Sequence, residues 1–160
     1  MNVQEATTRR LPDLKERHLP ENCRETINTI LKETYGYEQF RNLEIYDDLS
    51  KGKEKLCISQ GQLIENVILE AEKAWKSETQ VDNILLTAPT GSGKSLLFQL
   101  PAIYLGKEYN LLTIVVSPLK ALIVDQVESL QELGYMRVAY ASSDLSPEQK
   151  MEVYRQVREG

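Results

Sequence analysis

One stretch, Ala88-Pro89-Thr90-Gly91-Ser92-Gly93-Lys94-Ser95, constrains this chain more than any other. It follows a short apolar run over residues 83–88 and leads into a segment whose apolar residues Leu96, Leu97, Leu100 and Ile103 recur at helical spacing. A buried strand feeding a Gly-rich turn that opens a helix is the setting of phosphate-binding loops of the Gly-x-x-x-x-Gly-Lys-Ser type, with alanine here in place of the first glycine. Glycines at 91 and 93 let the backbone curl until successive N–H groups point at one oxyanion, and the helix start adds its positive dipole end. On this reading Lys94 is the catalytic lysine against the β- and γ-phosphates of ATP. The hydroxyl of Ser95 holds Mg²⁺, and Thr90, Gly91, Ser92 and Gly93 complete the nucleotide cradle. The plainer alternative is a Gly-Ser connection between two elements, which the flanking strand and helix patterns disfavour.

Around the turn the chain alternates short apolar runs with longer amphipathic stretches. A helix is expected from about residue 20 to 31, with Ile27, Ile30 and Leu31 on one face and Gly36 as a left-handed stop. Residues 35–41 form an aromatic turn, and the charged stretch 42–55 suits an exposed connection or a small insertion. A second helix is expected over 61–76, with 77–82 as its exit loop. Strands are expected at 83–88, 111–117 and 135–142. Between them lie helices at about 94–105, kinked by Pro101, and 119–133, closed by Gly134. A last helix opens with Ser146 as cap, Pro147 at its first position and Gln149 at its third. Such alternation implies right-handed crossovers and an α/β fold: a three-layer P-loop domain with a mostly parallel sheet, preceded by a helical N-terminal segment. Residues 1–57 are read as that helical extension and 58–160 as the ATP-binding domain.

The 160 residues carry a formal charge of −5, and both halves lean acidic. A polyanionic partner would therefore have to be met through a local groove and directed backbone amides. Cys23 and Cys57 lack CxxC spacing, and the single histidine is His18, so neither zinc nor a disulfide scaffold is expected. The N-terminus is polar and no apolar run reaches the roughly 18 residues of a membrane span. These features suit a reducing, cytoplasmic setting without membrane attachment. Asp47-Asp48 reads as solvated surface.

Residues 89–96, Phe98-Gln99-Leu100-Pro101-Ala102, Val115-Val116-Ser117-Pro118-Leu119, Leu122 and Asp125-Gln126-Val127 together resemble the first motor domain of RecQ-like superfamily-two DNA helicases, a RecA-like fold, over about residues 83–145. Upstream, Tyr35-Gly36-Tyr37-Glu38-Gln39-Phe40-Arg41 resembles the family's aromatic segment, and Gly61-Gln62 its adenine-reading glutamine, here separated from Arg41 by an insertion. The resemblance makes Gln62 the adenine reader, with Gln60 as runner-up, because an amide both donates to and accepts from the base edge. An exposed polar helix start is the bland alternative for both. The resemblance also implies that Ser117, Pro118 and Lys120 contact the phosphates of single-stranded DNA and that Ser143 lies in a second contacting loop. Helix capping by the serines and a solvated Lys120 stand beside those roles.

The family's Asp-Glu pair, which holds Mg²⁺ and positions the attacking water, has no counterpart after the turn, and the second motor domain with its arginine finger is not in this chain. The resemblance thus implies the ATP- and Mg²⁺-binding N-terminal part of a DEAD/DEAH-type ATP-dependent DNA helicase, truncated before the Asp-Glu pair and with little or no ATPase activity alone. A catalytically incomplete, nucleotide-gated module binding nucleic acid is the second reading. Another P-loop NTPase, such as a metabolic kinase, is the third.

Overall fold

The computed structural model describes residues 16–46, 55–76, 81, 83–87 and 90–159. In chain order these form helix α1 (Glu21–Tyr35), strands β1 (Asn42–Tyr46) and β2 (Lys55–Ser59), and helices α2 (Gln60–Trp75), α3 (Leu96–Tyr109), α4 (Lys120–Glu132) and α5 (Pro147–Glu159). Residues 47–48, most of the expected exit loop at 77–82, and Ala88 and Pro89 lie outside the described residues.

The core is helical. Ile27, Ile30 and Leu31 on α1, Leu63, Ile64 and Ile68 on α2, and Leu97, Leu100, Ile103 and Tyr104 on α3 form one buried cluster. Their i, i+3, i+4 spacing gives α1 and α2 one apolar stripe each, whereas α3 is buried around most of its circumference and packs against both α1 and α2. Burying each such side chain contributes roughly 1.5–3 kcal/mol, which fixes α3, and so the turn that precedes it, to the rest of the fold. Helix α1 stops at Gly36, which adopts φ +69°, and Gly134 beyond α4 takes φ +83°. Helix α3 runs on through Pro101 and Gly106 to Asn110, itself left-handed at φ 52°, rather than ending near residue 105. At α5 the expected cap forms: the Gln149 N–H donates to Ser146 Oγ (3.2 Å), and the Ser146 N–H donates to Gln149 Oε1 (2.8 Å).

Two expectations need correction. At the two ends of the charged stretch, residues 42–46 pair with 55–59 as an antiparallel ribbon, with Leu43 opposite Ile58 and both side chains buried against the core. Cross-strand burial of that pair outweighs the low strand propensity of its charged neighbours. Conversely, among the described residues the only sheet is this two-stranded one, so the mostly parallel three-layer sheet is not seen. Residues 83–87, 111–117 and 135–142 carry no strand ladder. Leu85 and Val116 are each 89% exposed and Ile114 is 77% exposed. β-Branched composition favours an extended backbone, but a ladder also needs paired hydrogen bonds to a neighbouring strand, and these segments form none among the described residues.

Candidate nucleotide site

The Gly-rich turn is set by two residues in the left-handed region, Gly91 at φ +81° and Gly93 at φ +78°. A side chain at either would strain the backbone. Space around them differs: a Cβ on Gly91 would meet nothing within 4 Å, whereas one on Gly93 would lie 2.5 Å from Gln60 Nε2. Beyond the turn the Leu96 N–H donates to the Gly93 carbonyl (3.2 Å) and the Leu97 N–H to the Lys94 carbonyl (3.0 Å). An anion would therefore rely on the amides before Leu96. Ser95 has helical φ and ψ, and its hydroxyl does not cap α3. The Ser92 hydroxyl oxygen is buried without a hydrogen-bond partner, as expected of a polar group awaiting a ligand or water. Thr90 and Gly91 are exposed, and Ser92, Gly93, Lys94 and Ser95 are half-buried. These features fit a phosphate group. Among the described residues no cluster of three His, Cys, Asp or Glu side chains could hold a metal ion.

Gln60, the first residue of α2, braces this turn. Its side-chain Nε2 donates to the carbonyls of Ser92 and Gly93, each at 3.3 Å, while its Oε1 accepts from the Arg41 N–H at 3.1 Å. Its own backbone N–H donates to the Arg41 carbonyl at 2.9 Å. The ribbon therefore leaves the chain at Arg41 and returns to it at Gln60, and the aromatic segment meets Gly61 directly. A Cβ on Gly61 would come within 2.6 Å of the Phe40 ring. The separation of Arg41 from Gly61-Gln62 in sequence is thus closed in space. Both ends of the Gln60 amide are thus engaged by protein groups in this arrangement, Nε2 by two carbonyls and Oε1 by the Arg41 N–H. Gln62 is half-buried two residues further along α2 and so about 200° around the helix from Gln60. Its backbone carbonyl accepts from Asn66 Nδ2 at 2.8 Å.

The segments expected to touch nucleic acid lie together. Ser117 Oγ accepts from the Leu119 N–H (3.4 Å) ahead of α4, Pro118 is exposed beside it, and Lys120 reaches across to Asp144 at 2.6 Å. Ser143 Oγ donates to the same carboxylate at 3.2 Å. The hydrogen bond and charge of Lys120 hold the Asp144 carboxyl below its usual range. Sequence reading missed Asp144; an acidic residue next to an expected phosphate contact was the available signal. It also missed Gln99, buried on α3, whose Oε1 accepts from Tyr35 O–H (3.3 Å) and whose Nε2 donates to Gln126 Oε1 on α4 (2.8 Å). Burial, with Tyr135 and Tyr37 nearby, pushes the Tyr35 phenol up, so it stays a neutral donor. No periodicity marks a buried glutamine of this kind.

The chain is 32% identical over 132 residues to an "ATP-dependent DNA helicase RecQ" of Synechocystis sp., covering 82% of this chain and 21% of that protein. It is 31% identical over 136 residues to "ATP-dependent DNA helicase Q-like 5" of Arabidopsis thaliana, covering 85% of this chain and 11% of that protein. Over a shorter span of 74 residues, 46% of this chain and 6% of the relative, it is 42% identical to "ATP-dependent DNA helicase Q4" of Mus musculus. The chain thus spans about a fifth or less of the length of these curated relatives. No solved structure matches. The DEAD/DEAH box helicase family model matches residues 67–159, which take in the Gly-rich turn, α3, α4 and α5. With more than half of its length matched in this way and relatives of the RecQ kind along most of it, the chain belongs to the DEAD/DEAH box helicase family.

Proposed function

We propose that this chain is the nucleotide-binding N-terminal part of an ATP-dependent DNA helicase, working with a second motor domain that this chain does not contain. The observation that carries the reading is the turn at residues 91–95, with both glycines left-handed and Lys94 at the mouth of α3. Its left-handed glycines let backbone N–H groups converge on a phosphate, and Lys94 supplies the positive charge. Within it, Thr90, Gly91, Ser92, Gly93 and Lys94 hold the phosphates of ATP, Ser95 holds Mg²⁺, and Gln62 reads the adenine. Magnesium when bound would neutralise charge on the phosphate oxygens; the chain's own part is to bind and orient the nucleotide. Ser117, Pro118, Lys120 and Ser143 contact the phosphates of single-stranded DNA, supported by the proximity of their two loops around Asp144.

Residues 1–57, expected to be helical but holding α1, β1 and the start of β2 in their described part, form an extension, and 58–160 form part of a RecA-like domain. Segments 83–87, 111–117 and 135–142, which carry no strand ladder among the described residues, would supply strands of a parallel three-layer sheet, a reading that rests on the family alone. The setting is cytoplasmic. Among the described residues no helix is long and apolar enough to cross a membrane.

Binding of a fluorescent ATP analogue, with and without Mg²⁺, tests the reading. Losing Lys94 removes a charged partner of the phosphates, so Lys94→Ala weakens binding by about ten- to a hundredfold. Gln62→Ala lowers the preference for adenine over guanine. Unchanged binding by Lys94→Ala would sink the proposal.

A further inference from the structure

We infer that Gln60 is a positioning residue for the phosphate-binding turn, holding the Ser92 and Gly93 carbonyls back on the ribbon side so that the turn's N–H groups are left to face an anion. The inference rests on the nucleotide reading of the turn given above.

Three observations carry it. Gln60 is only 2% exposed, so its amide has no water to fall back on. Its orientation is settled by its neighbours: Oε1 takes the Arg41 N–H and Nε2 faces two carbonyl oxygens, and rotating the amide by half a turn would set oxygen against oxygen and nitrogen against a donor. Lastly, Gly93 approaches the amide so closely that even a methyl group there would sit 2.5 Å from Nε2. A peptide unit that presents its N–H on one face presents its carbonyl on the other. Carbonyls turned away from a bound phosphate and into the protein need donors of their own, or they cost about as much as a lost hydrogen bond each. Gln60 turns its Nε2 toward both carbonyls from a single side chain, beside the Leu96 N–H that the Gly93 carbonyl also accepts.

A consequence follows for the ribbon. Arg41 and Gln60 are its two ends, joined by the Gln60 N–H to the Arg41 carbonyl and by the Arg41 N–H to Gln60 Oε1. The inserted β1–β2 hairpin is therefore anchored on the same amide that braces the turn. A shift of the ribbon base moves the donors of Ser92 and Gly93 with it. Preorganisation of the turn before nucleotide arrives is what Gln60 contributes, and loss of preorganisation appears as weaker binding.

The test compares wild type with Gln60→Met, which keeps length and apolar bulk but has no donor, and Gln60→Asn, which keeps the amide one methylene too short. Fluorescent ATP and GTP analogues are titrated onto each chain and onto Lys94→Ala, and amide resonances of the nucleotide-free proteins are recorded. Both Gln60 variants are expected to bind both analogues about tenfold more weakly, with the adenine-to-guanine ratio unchanged. The amide signals of Gly93 and Lys94 shift even without nucleotide, while methyl signals of Ile27, Ile64 and Ile103 stay in place. Wild-type affinity in both variants, beside a clear loss in Lys94→Ala, overturns the positioning role and leaves the nucleotide site standing. A loss confined to the ATP analogue also overturns it, since Gln60 would then be reading the base. Unaltered binding by Lys94→Ala removes the nucleotide reading itself, and the inference with it.

Discussion

Gly91 and Gly93 share nearly the same backbone conformation, at φ +81° and +78°, yet alanine should cost very different amounts at the two positions. At either one, an L side chain in the left-handed region costs roughly 1–2 kcal/mol. For Gly91→Ala that is the whole cost, because nothing lies within 4 Å of the new methyl. For Gly93→Ala the methyl would stand 2.5 Å from Gln60 Nε2, far inside contact distance, so the amide has to withdraw. Its withdrawal releases the hydrogen bonds to Ser92 and Gly93 and disturbs the one from Arg41. At about 0.5–1.5 kcal/mol per bond the additional loss is roughly 1–3 kcal/mol, and Gly93→Ala totals about 2–5 kcal/mol. Urea unfolding of both variants, with constant m-values as the check on two-state behaviour, measures the difference. In a Gln60→Ala background the amide is gone, and the cost of Gly93→Ala should fall to that of Gly91→Ala, an interaction term of at least 1 kcal/mol in the double-mutant cycle. Equal costs for the two glycines in wild type, or a cost at Gly93 untouched by removing Gln60, would refute the reasoning.

Three further outcomes are expected. Asp144→Asn releases Lys120 from its 2.6 Å ion pair, so single-stranded DNA binds a few fold more tightly and with a steeper salt dependence, read by fluorescence anisotropy across a salt series. Ser146→Ala removes one half of the α5 cap at a local cost of about 1 kcal/mol; because α5 buries no side chain, faster amide exchange in its first turn should register this more than any change in global melting. Tyr109 donates to Glu72 at 2.7 Å, and chiefly that bond, with burial second, pushes its phenol up to about 12. A raised folded value means the contribution is fully present below the ordinary phenol range near 10 and is lost as pH rises through about 12. Tyr109→Phe should therefore be less stable than wild type at neutral pH by about 1 kcal/mol, with the gap closing between pH 10 and 12 in thermal melts.

Much of the local structure was legible because short-range chemistry decides it. Helical spacing of Ile27, Ile30 and Leu31, the Gly36 and Gly134 stops, and the Ser146-Pro147-Glu148-Gln149 cap all appear where neighbours within one turn dictate. The same holds for the Gly-rich turn: glycine alone adopts φ near +80° without strain, so its spacing announced the conformation before any contact was known. The ribbon was not legible, since its stability comes from Leu43 facing Ile58 across a charged stretch and from a core supplied by distant helices. Nor was the role of Gln60, which depends on residues 19 positions before it and more than 30 after it coming to one amide.

What the sequence determined by itself is therefore the phosphate-loop pattern, the presence of the helices with their glycine stops and the Ser146 cap, and the likeness to DEAD/DEAH box helicases, each written in residues close together along the chain. Which glutamine braces the turn, that an inserted ribbon closes on Arg41, and that Asp144 joins the two loops around Lys120 were decided only by the tertiary structure. These depend on pairings between distant segments. A residue's own propensity carries no record of which partner folding will bring to it, because that is settled by burial and hydrogen-bond satisfaction over the whole chain.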